Sequence, residues 1–146
     1  MPEKTTPVIS RYAVGIDFGT TKSALAFINM SASGTAAPRL VKMSSSADFM
    51  PSAIYVSDGE DGRVQHVGRH AQDCIRSSIA KSAKDASALQ EAVRRYFTQF
   101  KMDLDSQAVG ARYETLDVSP ASLTACLLYA MPVSYTHLTL PTIYSV

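Results

Sequence analysis

The stretch Val14-Gly15-Ile16-Asp17-Phe18-Gly19-Thr20-Thr21-Lys22-Ser23-Ala24-Leu25-Ala26-Phe27 decides how this chain reads. Val14, Ile16 and Phe18 alternate with Ala13, Gly15 and Asp17, and Leu25 and Phe27 resume the apolar pattern further on. Period-two alternation marks a strand with one buried face. Two such runs with Gly19 to Lys22 between them read as a hairpin over 12–29 with a tight turn at its tip.

The tip carries chemistry. Asp17 stands near the end of the first strand, where a carboxylate can face a metal ion at the rim of a sheet. Gly19 lets the chain turn and removes the side chain that would keep the backbone from a ligand. Thr20, Thr21 and Lys22 follow with backbone N–H groups, two hydroxyls and an ammonium, and successive N–H groups in a turn form an anion-binding concavity. Terminal phosphates of a nucleotide usually arrive with Mg²⁺, which keeps several waters and takes only one or two carboxylates. A lone acid beside a phosphate-cradling turn therefore suits a magnesium–phosphate site. By pattern alone an ordinary hairpin with Asp and Gly in its turn fits equally well, and neither GxxxxGK[ST] nor GxGxxG occurs.

Outward from the hairpin, 31–38 is a loop by composition, 39–43 (RLVKM) a candidate third strand and 44–52 a second loop. AIYVSD and VQHVG, joined through Gly59 and Gly62, read as another hairpin. The period then changes. His70 to Lys81 and Ala86 to Phe100 lack Gly and Pro and suit helices, with Leu89, Val93, Tyr96, Phe97 and Phe100 as an apolar stripe. ARYETLDV (111–118) reads as a short strand. Ser119 and Pro120 open a last helix as N-cap and first helical residue, and Leu123, Leu127 and Leu128 form its buried face. Pro132 is expected to stop it.

Composition sets the outer bounds. The chain has 146 residues, one domain's worth, with 46% hydrophobic and 18% charged residues. Fourteen basic against 13 acidic residues leave a net charge of +1, which argues against disorder and gives no electrostatic reason for nucleic acid or an anionic membrane as partner. No apolar run approaches the roughly 20 residues of a membrane span, and residues 1–11 read as a flexible lead-in without the apolar stretch of a signal peptide. A cytoplasmic location follows from these signals. No charge occurs after Asp117, and PVSYTHLTLPTIYSV (132–146) resembles the end of translated fragments in which a sequencing adapter has been read as protein. That tail is expected to be non-native, the alternative being a short C-terminal strand of β-formers.

GIDFGTTKS (15–23) closely resembles the first phosphate loop of the actin, hexokinase and heat-shock ATPase superfamily, and most nearly GIDLGTTNS of the DnaK-type chaperones. MPSAIYV (50–56) is similar to that family's T-P-S-V-V strand, VQHVGRHAQD (64–73) to its L-V-G-x-x-A-K segment, and DVSPASLTACLL (117–128) to its later Ser-Pro-opened helix. The resemblance implies an α/β fold, the N-terminal part of an actin-like (ribonuclease H-like) ATPase domain. Residues 12–131 would form a mixed twisted sheet with helices, including part of an inserted helical subdomain. It implies ATP or ADP and Mg²⁺ as cofactors, Asp17 holding the ion through water, and Gly19, Thr20, Thr21 and Lys22 on the phosphates.

One departure bears on activity. The family's G-x-x-A-K lysine, which positions the attacking water, falls here on Gln72, and an amide cannot replace an ammonium as a charge stabiliser. Arg69 and Arg76 are the nearby guanidiniums. A second D-x-G-G-G-T loop is missing, so the resemblance implies the ATP-binding fragment of a chaperone, with binding better supported than hydrolysis. Clients and co-chaperones would meet regions not present here. An actin-like filament protein and a sugar-kinase-type enzyme share the loop and are the alternatives.

Other groups read more plainly. His66 and His70 straddle a strand end with no third ligand evident. Cys74 and Cys126 suit small buried apolar positions. Arg94 and Arg95 suit a solvated helix face, and 110–112 a loop.

Overall fold

The alternation over 12–29 becomes a hairpin in the computed structural model, which describes residues 12–31, 37–43, 47–105 and 110–137. Strands β1 (Tyr12–Phe18) and β2 (Lys22–Asn29) pair antiparallel from Tyr12 opposite Asn29 to Phe18 opposite Ser23. Two short strands share the other edge of β2. β3 (Arg39–Leu40) lies opposite Ala26 and Phe27, and β4 (Met50–Pro51) opposite Lys22 and Ser23. The expected third strand is thus shorter than RLVKM, although the Val41 N–H extends the pairing with a 2.8 Å bond to the Leu25 carbonyl. The expected loop 44–52 yields β4, because the free edge of β2 offers Met50 and Pro51 a partner.

A second sheet follows. β5 (Ala53–Gly59) and β6 (Gly62–Val67) form the expected hairpin, with Gly59 opposite Gly62. Every described strand pair is antiparallel, in two sheets rather than one mixed sheet. For the two hairpins the cause is the short connection, since a parallel neighbour needs a crossover of a dozen or more residues. β5 is buried on both faces, and its period divides it between two clusters. Ile54 and Val56 enter the larger core with Phe97, Phe100, Leu123, Leu127 and Met131, while Ala53 and Tyr55 pack with Ala71, Ile75 and Ala92.

The helices differ from the reading in three places. α1 (Arg69–Lys81) lies where the sequence puts it. α2 (Ala86–Arg94) is opened by Asp85, whose carboxylate accepts from the Ser87 and Ala88 N–H groups, but it does not continue to Phe100. Tyr96–Thr98 form strand β7 on β5, Ile54 opposite Phe97, and Phe100–Asp103 form a 3₁₀ turn. Tyr, Phe and Thr favour strands, and the open edge of β5 outweighs one more helical turn. Residues 111–118 contain helix α3 (Ala111–Thr115) instead of a strand. From it Arg112 reaches back to the last carbonyls of α2, donating from Nε to Arg94 O at 2.8 Å and from a terminal nitrogen to Val93 O at 3.1 Å. Arg95 is not simply solvated either: it pairs with Asp58 and Glu91, each at 2.9 Å, and its guanidinium holds the Asp58 carboxyl below its usual range.

α4 (Pro120–His137) begins as expected, with Ser119 and Ser122 capping each other reciprocally at 2.9 and 3.0 Å. Leu123, Leu127 and Met131 are fully buried at its i, i+4, i+8 positions. It runs through Pro132 rather than stopping there: the preceding turns are anchored in the core by Leu123, Leu127 and Met131, which offsets the lost N–H and the ring's clash with the carbonyl four residues back. The lead-in 1–11 and the tail from 138 on lie outside the described residues. Among the described residues no helix is long and apolar enough to cross a membrane.

Candidate functional site

The tip of the first hairpin consists of Gly19, Thr20 and Thr21, between the end of β1 and Lys22. Glycine is required at position 19 by contact: a Cβ there would run into the Lys22 carbonyl. The remaining shape is imposed from outside. Lys101 Nζ donates to the Phe18 carbonyl and sits 5.0 Å above the Phe18 ring. Ser52, following β4, donates its Oγ–H to the Gly19 carbonyl at 2.8 Å and its N–H to the Thr21 carbonyl at 2.9 Å. Its one hydroxyl proton is thereby used, so the buried 2.9 Å bond to Ser23 must be donated by Ser23.

Two carbonyls of the tip, and that of Phe18 just before it, are therefore engaged by other parts of the chain. Among the described residues no hydrogen bond engages the N–H or hydroxyl groups of Thr20 and Thr21, and no ion pair engages Lys22. Lys22 and Thr21 are exposed. The tip thus keeps unengaged donors and an exposed ammonium, the group types that a phosphate requires. Ser52→Ala is expected to cost about 1–3 kcal/mol in chemical denaturation, because it leaves the buried Ser23 hydroxyl and the Gly19 carbonyl unpaired. An unfolding midpoint equal to the wild type's would contradict this account of the tip.

Asp17 is exposed, opposite Ala24 in the hairpin. It lies on the face of Gly15, Ala24 and Ala26, whose small side chains leave an open groove of about 390 Å³ bounded by Leu40 and Phe49. That volume falls within the roughly 300–1,000 Å³ of small-molecule sites. On the opposite face Val14 and Ile16 of the edge strand β1 are 61% and 48% exposed.

The residue before α1, the helix that carries Gln72, adjoins β4. The Gly68 N–H donates to the Ala53 carbonyl at 2.8 Å, and Gly68 takes a φ of 64°, where a Cβ would meet Met50 Cγ at 2.6 Å. Lys22 pairs with Pro51. The start of α1 and the phosphate-loop candidate therefore flank the same short strand, and Gln72 is half-buried one turn into that helix. Arg69 is the exposed first residue of α1, and Arg76 is engaged by Asp73 on the same helix at 3.3 Å. Asp17 and the tip fit one side of a magnesium–phosphate site, with one carboxylate for the ion and N–H, hydroxyl and ammonium groups for the anion.

Sequence reasoning missed Ser52 and Lys101 as the clamps of the tip. It also separated three residues that the fold unites: His66, His70 and Cys74 each bring a ligand-type atom within 4.8 Å of the others. The spacing of four, repeated twice, was the available signal. Comparison of the chain with family models, with curated proteins and with solved structures gives no match.

Proposed function

We propose that this chain binds the β- and γ-phosphates of a magnesium nucleotide on the tip Gly19–Lys22, as part of the ATP-binding domain of a DnaK-type chaperone. In that setting nucleotide exchange would drive protein folding or remodelling. The observation that carries the reading is the tip's division of labour, with its carbonyls engaged by Ser52 and Lys101 and the donors of Thr20 and Thr21 unengaged. Thr20 and Thr21 donate to phosphate oxygens, and Lys22 adds a positive charge where the usual family residue is neutral. Asp17 orients the water shell of the magnesium ion, which neutralises phosphate charge when bound. Gln72 can hydrogen-bond a water but brings no charge to it, so binding without efficient hydrolysis is the activity expected.

The test is a titration of the ¹⁵N-labelled chain with Mg-ATP, which carries both phosphates. Amide shifts are expected to concentrate at 17–22, with weak, millimolar-range affinity because only one side of the nucleotide is held. Asp17→Ala is expected to remove the magnesium dependence of those shifts and to leave the fold intact, Asp17 being exposed. No perturbation at 17–22, or shifts confined to a second cavity lined by Glu91, Arg94, Arg112 and Thr115, would overturn the proposal.

A further inference from the structure

The turn from β6 into α1 gathers three side chains that the phosphate chemistry does not use. His70 and Cys74 are four apart on α1 and so stand one above the other on one face. His66 belongs to β6, and the left-handed turn at Gly68 carries it onto the same face. The two imidazole rings lie 4.8 Å apart, inclined at 57°. One ligand-type atom from each of the three residues lies within 4.8 Å of the other two. An ion centred among atoms so spaced is no farther than about 2.8 Å from any of them. Side-chain rotations of less than about 1 Å therefore reach the 2.0–2.3 Å of zinc–nitrogen and zinc–sulfur bonds.

We propose that His66, His70 and Cys74 form a three-ligand zinc site, with water in the fourth position. The donors decide the ion: two imidazoles and a thiolate suit a borderline-soft metal, whereas magnesium and calcium require oxygen. Ser57 Oγ meets His66 Nε2 at 2.9 Å, the outer hydrogen bond that orients a ligating imidazole and assigns the ion to Nδ1. His66 and Cys74 are half-buried and His70 is exposed, which leaves a route for entry. The zinc–sulfur bond forms as the Cys74 S–H proton passes to solvent, with no change in oxidation state. The ion would clip the end of β6 to the first two turns of α1.

The test uses the tag-free 146-residue chain, stripped with chelator, and Zn²⁺ or Co²⁺ alone as probe. One ion per chain is expected in competition with a chromophoric chelator. The cobalt form should show a thiolate charge-transfer band, and zinc should raise Tm. His70→Gln, at an exposed position, should weaken zinc by about tenfold or more and abolish most of the Tm rise without changing the metal-free Tm. Cys74→Ser should remove the charge-transfer band; if that variant does not fold, the His70→Gln result stands as the test. Failure of the wild type to take up zinc at micromolar concentration would overturn the site. So would retention of affinity in His70→Gln, or a band that survives Cys74→Ser and is lost in Cys126→Ser.

Discussion

Gln72→Lys is expected to raise ATP turnover about 100-fold in a polypeptide that supplies the second phosphate loop, and to leave the 146-residue chain at background. The size follows from what one preorganised charge contributes where negative charge develops, about 10²–10³ in kcat. Gln72 is half-buried in α1, and Gly68 just before that helix adjoins β4, the strand that pairs with Lys22. An ammonium there acts on the transition state more than on bound nucleotide, so Kd should change little while kcat rises. On the proposed reading this chain holds the phosphates from one side only, so no turnover is expected from it. Steady-state turnover and nucleotide Kd, measured on both forms, decide the matter. An unchanged kcat in the two-loop form would show that residue 72 does not face the phosphates. Turnover by the 146-residue chain would show that the second loop is dispensable.

Phe97→Ala should be the most damaging apolar truncation, at about 3–5 kcal/mol. Phe97 is 1% exposed in the larger core, its ring centroid 5.2 Å from that of Tyr113 and 4.3 Å beneath the Arg112 guanidinium. Val93→Ala should cost no more than about 0.5 kcal/mol, since Val93 is 52% exposed. The pair discriminates between two structures. On one continuous helix over 86–100, Val93 and Phe97 share a face and would cost comparable amounts. With β7 they do not. Urea unfolding of both variants gives the answer, and equal losses would restore the helix.

These two residues also mark where the sequence stopped being informative. Both hairpins were legible because their signals are local: alternation, glycines and tight turns lie within a few residues of one another. Tyr96 and Phe97 were not, because they continue a helical stripe from Leu89 and Val93, and the partner that makes them a strand is β5, far back in the chain. Residues 111–118 misled in the opposite sense. Tyr113, Thr115 and Val118 are β-formers, yet Tyr113 is fixed by a hydrogen bond to Asp103, which together with burial raises its pKa to about 12. Pro132 was a local stop signal overridden by the burial of Leu127 and Met131 just before it.

The candidate sites divide in the same way. Asp17 to Lys22 could be read directly because the residues of the tip are consecutive. What shapes the tip could not, since Ser52 and Lys101 arrive from other elements. The His66–His70–Cys74 group was half visible. Its spacing is helical throughout, but His66 is on a strand, and only the backbone at Gly68 makes the third ligand a neighbour of the other two.

The bond from Lys101 to the Phe18 carbonyl joins residues 83 positions apart. A hairpin such as β1–β2 closes on its own within about 1–10 μs, while a loop of that length must first lose entropy that grows with its logarithm. The turn at Gly19 is therefore among the earliest shapes the chain can take up. Its last constraint is set only when the segment after β7 has docked, so the part of the molecule that forms first is also among the last to become rigid.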